Sequence, residues 1–158
     1  MTPDKFAERF REHQPAVARF MSRRVERDDV EDLTADVFAI AWRKRSAVTD
    51  GEELPWLYRI AGFVVANYRR KRISALAVLG RLGPSDPAPS AESVALADSK
   101  LSEAWTQLSV KEREIIALTA LDGLAVSEAA STLGITANAA SIRLHRAKTH
   151  LAELLAKD

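Results

Sequence analysis

Apolar residues recur three and four positions apart along almost the whole chain, and no convincing stretch alternates apolar with polar residues as a half-buried strand does. This period places the apolar side chains on one face of a helix and the polar ones on the other. We therefore predict an all-α protein. Its 158 residues are enough for one ordinary domain or two small ones.

A segment rich in serine and proline, LGRLGPSDPAPSAES at residues 79–93, separates two helical blocks. Such a composition cannot build a core and is typical of a linker. We predict two small helical domains joined by a flexible linker. The first domain covers residues 1–76, the linker residues 77–96, and the second domain residues 97–158.

Local signals mark helix boundaries in the first block. Pro15 interrupts the first apolar stripe, and we expect it to start a new helix, because proline fits the first helical turn. Asp28 or Asp29 can cap the following helix. Pro55 then opens a further helix after a polar loop.

The second block contains the signals of a helix-turn-helix motif. Ser109 and Glu112 form a capping-box pattern ahead of one helix. We expect Ser127 to cap the next, short helix, and Gly134 to adopt the left-handed conformation just after it. Thr136 then caps a final helix, so that helix, glycine turn and helix follow one another at the spacing of this motif.

The final helix has no acidic residue between Leu133 and Ala152, although the net charge of the chain is only +1. One interpretation is that this face lies against a negatively charged molecule; the other is that it is the solvated side of a helix bundle. Periodicity alone does not separate them. The absence of acidic residues favours the first interpretation, with DNA as the negatively charged molecule, since solvated faces normally carry charges of both signs. Further basic runs occur at residues 43–45 and 69–72.

The composition argues against several other classes of protein. The chain has no cysteine, and its three histidines lack the spacing of a zinc site, so we predict no metal and no cofactor. We find no Gly-rich phosphate loop, clustered acid–base pair or nucleophile setting, and predict that the protein is not an enzyme. The lack of a long apolar run or signal-peptide core predicts a cytoplasmic protein without membrane insertion.

Two stretches of the sequence resemble a known family. LSVKEREIIALTALDGLAVSEAASTLGITANAASIRLHRAKTHL, residues 108–151, resembles region 4 of the bacterial sigma-70 family. DVEDLTADVFAIAWRKR followed by PWLYRIAGFVVANYRRKR, within residues 29–72, resembles region 2. Both motifs in this order, with a short tether between them, resemble the extracytoplasmic-function (ECF) group.

The resemblance implies a promoter-specificity subunit without an active site. Its implied partners are promoter DNA and the bacterial RNA polymerase core. The contacts with the core are made through the clamp helices of the largest polymerase subunit and through the polymerase flap. Anti-sigma factors are common family partners, although nothing in this chain identifies one. The implied clamp-binding residues are Asp32, Leu33, Asp36, Val37 and Trp42. In the competing interpretation Leu33, Val37 and Trp42 are core residues, and we expect at least one of them in the core, Trp42 before the others.

The resemblance assigns contacts around the −10 element to the helix that follows Pro55. In the family, the preceding loop, here residues 43–53, helps to hold an unstacked base of the non-template strand. Extracting a base from the stack costs free energy, which stacking and edge contacts in a pocket must offset. A cationic cluster at a helix C-terminus also favours the helix dipole, so a structural role competes. The implied −10 residues are Arg59, Asn67, Arg69, Arg70, Lys71 and Arg72.

The final helix is implied to read the −35 element in the major groove. We expect Ser141 and His145 at base edges and Ile142 against a thymine methyl. The phosphate contacts that position the helix are assigned to Thr136, Asn138, Arg143, Arg146 and Lys148.

The chain departs from the family pattern at two places. Phe63 stands where the family often has asparagine, and residues 138–140 replace a common Gly-Thr-Val, so Asn138 takes over a phosphate contact. A free-standing helix-turn-helix regulator remains the main alternative, and would bind its operator without polymerase. A helical adaptor for an acidic protein is a second alternative, and would lack a salt-dependent affinity for DNA.

Overall fold

The computed structural model describes residues 2–78, 88–92 and 98–157. These residues contain helices and no strand, which confirms the predicted all-α class. They divide into two compact units, Met1–Pro87 and Ala88–Asp158. The predicted linker lies partly outside the described residues, at 79–87 and 93–96. None of the described helices is long and apolar enough to cross a membrane.

The first unit consists of three helices packed against one another: α1 (Pro3–Ser22), α2 (Val30–Arg43) and α3 (Glu53–Val78). Their apolar faces form one core, in which the rings of Phe20 and Tyr58 stack with centroids 4.8 Å apart. The buried core side chains are Val17, Phe20, Met21, Val37, Phe38, Ala41, Leu57, Tyr58, Ile60, Ala61, Val64 and Val65.

The expectation that Pro15 starts a new helix was wrong, because α1 continues through it. Proline has no backbone N–H, so one hydrogen bond of the helix is lost there. Burial of the apolar residues on both sides, Phe10 partly and Val17 fully, keeps the two halves in one helix. Tertiary packing therefore overrides the local preference of Pro15.

Asp29 is the N-cap residue of α2, as expected, but its side chain caps no backbone group. Its carboxylate instead accepts a hydrogen bond from the Tyr68 hydroxyl at 2.8 Å, and that hydroxyl also accepts from the Glu26 backbone N–H at 3.3 Å. Tyr68 thus joins α3 to the turn before α2. Helix α3 begins at Glu53, with Pro55 in its first turn as predicted.

The second unit contains α4 (Ser99–Gln107), α5 (Val110–Ile116), α6 (Val126–Leu133) and α7 (Ala137–Ala156). A single π-helical turn, Ala117–Leu121, extends α5. Helices α4, α5 and α6 all pack on α7. The side chains buried in this core include Ala104, Trp105, Leu108, Ile115, Leu118, Ala129, Ala140, Leu144, Ala147 and Leu154.

Part of the predicted linker packs on this unit. Pro89 is fully buried, and the indole N–H of Trp105 donates to the Pro89 carbonyl at 2.8 Å. Ala88 and Ala91 are also buried. A buried indole N–H needs an acceptor, and the backbone of this Pro-Ser-Ala segment provides one.

The capping box before α5 is confirmed. The Ser109 hydroxyl accepts from the Glu112 backbone N–H at 3.2 Å, and the Glu112 carboxylate accepts from the Ser109 N–H at 2.8 Å. The other Glu112 oxygen lies 2.8 Å from Nδ1 of His150 on α7. Burial raises the pKa of Glu112, but its hydrogen bonds with Ser109 and His150 outweigh burial and hold the pKa below its ordinary value.

Gly62 lies within α3, and a Cβ added there would meet nothing within 4 Å. Glycine inside a helix costs about 0.5–1 kcal/mol relative to alanine. We expect Gly62→Ala to increase the free energy of unfolding by about that amount. Gly134→Ala is the matched control, because its φ of 69° is left-handed, and we expect a loss of about 1 kcal/mol. Thermal unfolding followed by circular dichroism measures both; a destabilised Gly62→Ala variant would mean that the fold of the first unit requires glycine at this position.

The lowered pKa of Glu112 predicts how stability depends on pH. Its folded value lies below its unfolded one, so the carboxylate contributes stability above about pH 4.5 and loses it as the pH falls through the folded value. We expect Glu112→Gln to destabilise the second unit at pH 7 by about 0.5–1 kcal/mol, and the difference from wild type to close as the pH falls through the folded pKa of Glu112. Hydrogen exchange of α5 amides from pH 7 to pH 3 measures this. The exposed Glu103→Gln serves as control; an undiminished difference at pH 3 would contradict the assignment.

Candidate nucleic-acid interface

Helix α7 begins at a tight turn that its own residues close. Gly134 has φ 69° and caps α6, and the Ile135 N–H bonds to the Ala130 carbonyl at 3.0 Å. The Thr136 hydroxyl then accepts from the Ala139 N–H at 3.0 Å as the N-cap of α7. The predicted helix-turn-helix geometry is present. The expectation for Ser127 was wrong, because α6 begins at Val126 with Ala125 as its N-cap residue, and the Glu128 carboxylate accepts from the Ala125 N–H.

The face of α7 opposite its buried residues is exposed and polar. Ala140, Leu144 and Ala147 point into the second unit. The residues predicted for −35 recognition lie around the other side, since three- and four-residue steps repeat on one face. Thr136, Asn138, Ser141, Ile142, His145, Arg146 and Lys148 are exposed, and Arg143 is half-buried.

The described part of the chain does not neutralise the charge on this face. Among the described residues, no ion pair engages Arg143, Arg146 or Lys148. Ile142 adds an apolar side chain that is 44% exposed. The exposed side of α7 thus combines positive charge, small polar groups and one aliphatic group, which are the components that contact phosphates, base edges and thymine methyls.

Helix α3 presents a second basic face, in the first unit. No Asp or Glu occurs in residues 54–78, whereas Arg59, Asn67, Arg70 and Lys71 are all exposed. Sequence reasoning identified these four residues and missed Phe63, which is 70% exposed on the same helix. The departure from the family pattern at Phe63 was the signal that could have identified it.

Two of the predicted −10 residues have partners inside the first unit. Arg69 donates to the Arg24 carbonyl at 2.7 Å, and burial lowers its pKa, although a guanidinium remains charged. This hydrogen bond gives Arg69 a structural role in the first unit, and its assignment to the −10 element stays a prediction. Arg72 lies 3.6 Å from the Glu26 carboxylate and donates to the Tyr68 hydroxyl at 3.3 Å. Its charge is shared between this contact and solvent.

The predicted polymerase-binding residues separate into exposed and buried members. Asp32 and Asp36 are exposed on α2, and Leu33 is half-buried beside them. Val37 is completely buried, so it cannot contact a partner and its assignment was wrong. Leu33, Asp36, Ile40, Arg43, Asn67 and Lys71 help to line a groove of about 260 Å³ between α2 and α3.

Trp42 is the member expected in the core, and that expectation was also wrong, because it is 38% exposed. Its ring contacts Phe6 edge-on at 5.2 Å, and the Arg45 guanidinium lies 3.7 Å from its centroid. Arg45 also donates to the Trp42 carbonyl at 2.8 Å. This arrangement fixes the start of the loop after α2 and leaves part of the indole open to solvent.

Comparisons with known proteins match each unit to a sigma-factor region. Residues 9–73 match the family model of sigma-70 region 2, and residues 99–151 match that of sigma-70 region 4. The chain is 31% identical over 156 residues to the RNA polymerase sigma factor CarQ of Myxococcus xanthus, covering 96% of this chain and 90% of CarQ. It is 33% identical over 141 residues to the sigma factor NccH of Alcaligenes xylosoxydans xylosoxydans, covering 83% and 75%.

Solved structures give the same result. The sigma factor RpoE in complex with the anti-sigma factor NepR from Bartonella quintana is similar with a TM-score of 0.70 and 27% identity, over 98% of both chains. CnrH in complex with the cytosolic domain of CnrY is similar with a TM-score of 0.67 and 26% identity, over 98% of this chain and 89% of that one. Together with the basic faces of α3 and α7, these matches show that the chain belongs to the sigma-70 family of RNA polymerase sigma factors, in its ECF group.

Proposed function

We propose that this protein directs the RNA polymerase core to promoters and initiates transcription there, with α7 on the −35 element and α3 on the −10 element. The observation that carries the proposal is the distribution of charge. In each unit one exposed helical face is basic, with no Asp or Glu in residues 54–78 of α3 or 137–152 of α7, while the exposed face of α2 carries Asp32 and Asp36. Nucleic acid and a basic protein surface are the complementary partners of such faces.

On the −35 duplex, we assign Ser141 and His145 to base edges and Ile142 to a thymine methyl. Arg143, Arg146 and Lys148 contact phosphates, which supply affinity and fix the register of the helix without reading sequence. The Thr136 hydroxyl and the Asn138 amide add contacts at the start of the helix. Thr136 serves both roles, since its oxygen caps α7 while its hydrogen remains available to a phosphate.

On the −10 element, Arg59, Asn67, Arg70 and Lys71 form the exposed face that contacts the DNA backbone. Arg72 joins them at the edge, through the part of its charge not engaged by Glu26. Docking on the clamp helices of the largest polymerase subunit uses Asp32, Leu33, Asp36 and the exposed part of Trp42. The second unit contacts the polymerase flap.

Neither basic face is extensive enough to hold a promoter by itself, and the net charge of the chain is only +1. Attachment of both units to one polymerase makes the second DNA contact effectively intramolecular, which raises its effective concentration. A free-standing regulator has no need of two units that both match sigma-factor regions, so that alternative is not favoured.

Both solved relatives described above are complexes, one with the anti-sigma factor NepR and one with the cytosolic domain of CnrY. We extend the class of partner, an anti-sigma factor, to this chain. Such an inhibitor would cover the faces that otherwise meet polymerase, and its binding would be exclusive with holoenzyme formation.

A run-off transcription assay with purified bacterial core polymerase tests the proposed function. We expect promoter-dependent transcripts only when the chain is added, and co-elution of the chain with core at low ionic strength. Specific operator binding by the chain alone, without association with core, would instead support the free-standing regulator.

Removing positive charge from α7 should separate DNA binding from polymerase binding. We expect Arg143→Gln combined with Arg146→Gln to reduce promoter transcription and to lower the salt dependence of promoter affinity by about two phosphate contacts. Core binding should stay near wild type. The reciprocal variant, Asp36→Asn, should weaken core association first. Filter binding across salt concentrations and co-elution with core measure the two effects; loss of core binding in the arginine double variant would contradict the division of roles.

Neighbouring arginines on α3 should behave differently. Because Arg69 is partly buried and bonded to the Arg24 carbonyl, we expect Arg69→Ala to destabilise the first unit by about 1–2 kcal/mol. Arg70 is exposed, so Arg70→Ala should leave unfolding within about 0.5 kcal/mol of wild type and weaken promoter binding. Thermal unfolding and promoter affinity distinguish them. Equal unfolding temperatures for the two variants would refute the structural assignment of Arg69.

A further inference from the structure

The basic end of α3 lies against the connection between α1 and α2, residues 23–29. Arg69 and Arg72 are three positions apart, so they share one side of the helix, and both contact this connection. Arg70 and Lys71 are exposed, and among the described residues no ion pair engages either of them. The connection therefore engages one side of the basic run and leaves the other side to solvent.

Two groups hold the guanidinium of Arg72. Its Nη2 lies 3.6 Å from the Glu26 carboxylate, and its Nη1 donates to the Tyr68 hydroxyl at 3.3 Å. The same hydroxyl accepts from the Glu26 backbone N–H at 3.3 Å and donates to the Asp29 carboxylate at 2.8 Å. Burial, and then the hydrogen bond to Asp29, raise the pKa of Tyr68, so its hydroxyl stays protonated. Tyr68 thus fixes the backbone of Glu26 beside Arg72.

The ion pair between Glu26 and Arg72 is open to solvent and therefore easily reversed. The two side chains are 65% and 49% exposed. Exposed pairs of this kind are weak, equivalent to about 1.4- to 5-fold in an equilibrium constant. Such a contact adds little to the stability of the fold, but any anion that approaches Arg72 must displace it.

A DNA phosphate is an anion of this kind. A phosphate oxygen and the Glu26 carboxylate both accept hydrogen bonds from guanidinium N–H groups, so they compete for Arg72. Glu26 also begins an acidic stretch, residues 26–32, which contains five acidic residues and one arginine. The negative charge of this stretch repels a phosphate backbone. Both effects oppose the binding of DNA at this end of α3.

We propose that Glu26 is an intramolecular competitor of DNA, whose carboxylate holds Arg72 and lowers the affinity of the basic face of α3 for a phosphate backbone. This inference rests on the proposed function and adds a regulatory contact to that same face. Because displacing Glu26 costs the same with any DNA, the contact lowers non-specific binding by the chain alone. Attachment to polymerase offsets this cost by raising the effective concentration of the DNA contact.

The test measures binding of the full chain, without polymerase, to duplex DNA of random sequence by fluorescence anisotropy across salt concentrations. We expect Glu26→Gln to raise the affinity by about 2- to 5-fold at low salt. The variant should also steepen the dependence on salt by up to about one phosphate contact.

Asp28→Asn is the matched control. It removes the same charge from the same acidic stretch, but no ion pair in the described part of the chain engages Asp28. We expect this variant to raise the affinity by less than about 1.5-fold, because exposed charges that do not touch are largely screened.

A double-variant cycle isolates the contact itself. When Arg72→Gln is already present, Glu26→Gln has no guanidinium to release, so its gain in affinity should fall to the level of Asp28→Asn. Asp28→Asn and Arg72→Gln should be additive. Wild type and Glu26→Gln should unfold at nearly the same temperature, since an exposed pair contributes little to folding.

The outcomes separate the inference from the proposed function. A gain for Glu26→Gln no larger than that of Asp28→Asn, or one that persists beside Arg72→Gln, overturns the competition and leaves the sigma-factor function intact. A lower unfolding temperature for Glu26→Gln without any gain in affinity overturns it too, and shows that the pair only braces the connection. If wild type with core polymerase does not initiate in the run-off assay, the proposed function and the inference both fail.

Discussion

Each basic helix of this protein must hold its position by burying one face, and this requirement governs the whole structure. Helix α7 is fixed by Ala140, Leu144 and Ala147 against the rest of the second unit, and helix α3 by residues such as Ala61 and Val65 in the first. Neither unit has a large core, so neither can lose much buried apolar area and remain folded. The exposed faces are therefore free to carry charge without acidic partners, because the buried faces alone keep the helices in place.

The same division explains which arginines are available to DNA. On α3, the side chains that turn back towards the unit are used in folding, as Arg69 is at the Arg24 carbonyl. Those that point away, such as Arg59 and Arg70, are exposed to solvent. Four consecutive basic residues thus serve two purposes, and the helical period of about 3.6 residues decides which residue serves which.

Local chemistry made much of the second unit predictable. The Ser109–Glu112 capping box, the left-handed Gly134 and the Thr136 cap each depend on residues within a few positions, and each is present as predicted. The boundaries that failed depend on distant contacts. Helix α1 passes through Pro15 because both of its halves pack on the same core. For α6, the Glu128 side chain accepts from the N–H of the N-cap residue Ala125, where Ser127 offered an equally suitable local cap.

The exposed faces were predictable as a set, but not residue by residue. Val37 and Trp42 lie five positions apart on one helix, and sequence alone could not determine which was buried, since that depends on the placement of α1 beside α2. Likewise, no local pattern marks Arg69 as different from Arg70. Phe63 was visible as a departure from the family, but its exposure and the open space at Gly62 emerge only from the packing of α3.

The hydrogen bond between Trp105 and Pro89 shortens the chain that connects the two units. Residues 88–92 belong to the second unit, so residues 79–87 alone join them to the end of α3. An extended chain advances about 3.3–3.6 Å per residue, which gives a maximum span of roughly 35 Å between Val78 and Ala88. If two promoter sites require a longer connecting chain than this, the hydrogen bond between the Trp105 indole and the Pro89 carbonyl must break before both sites can be occupied. This one buried hydrogen bond therefore limits the length of the chain that connects the two units.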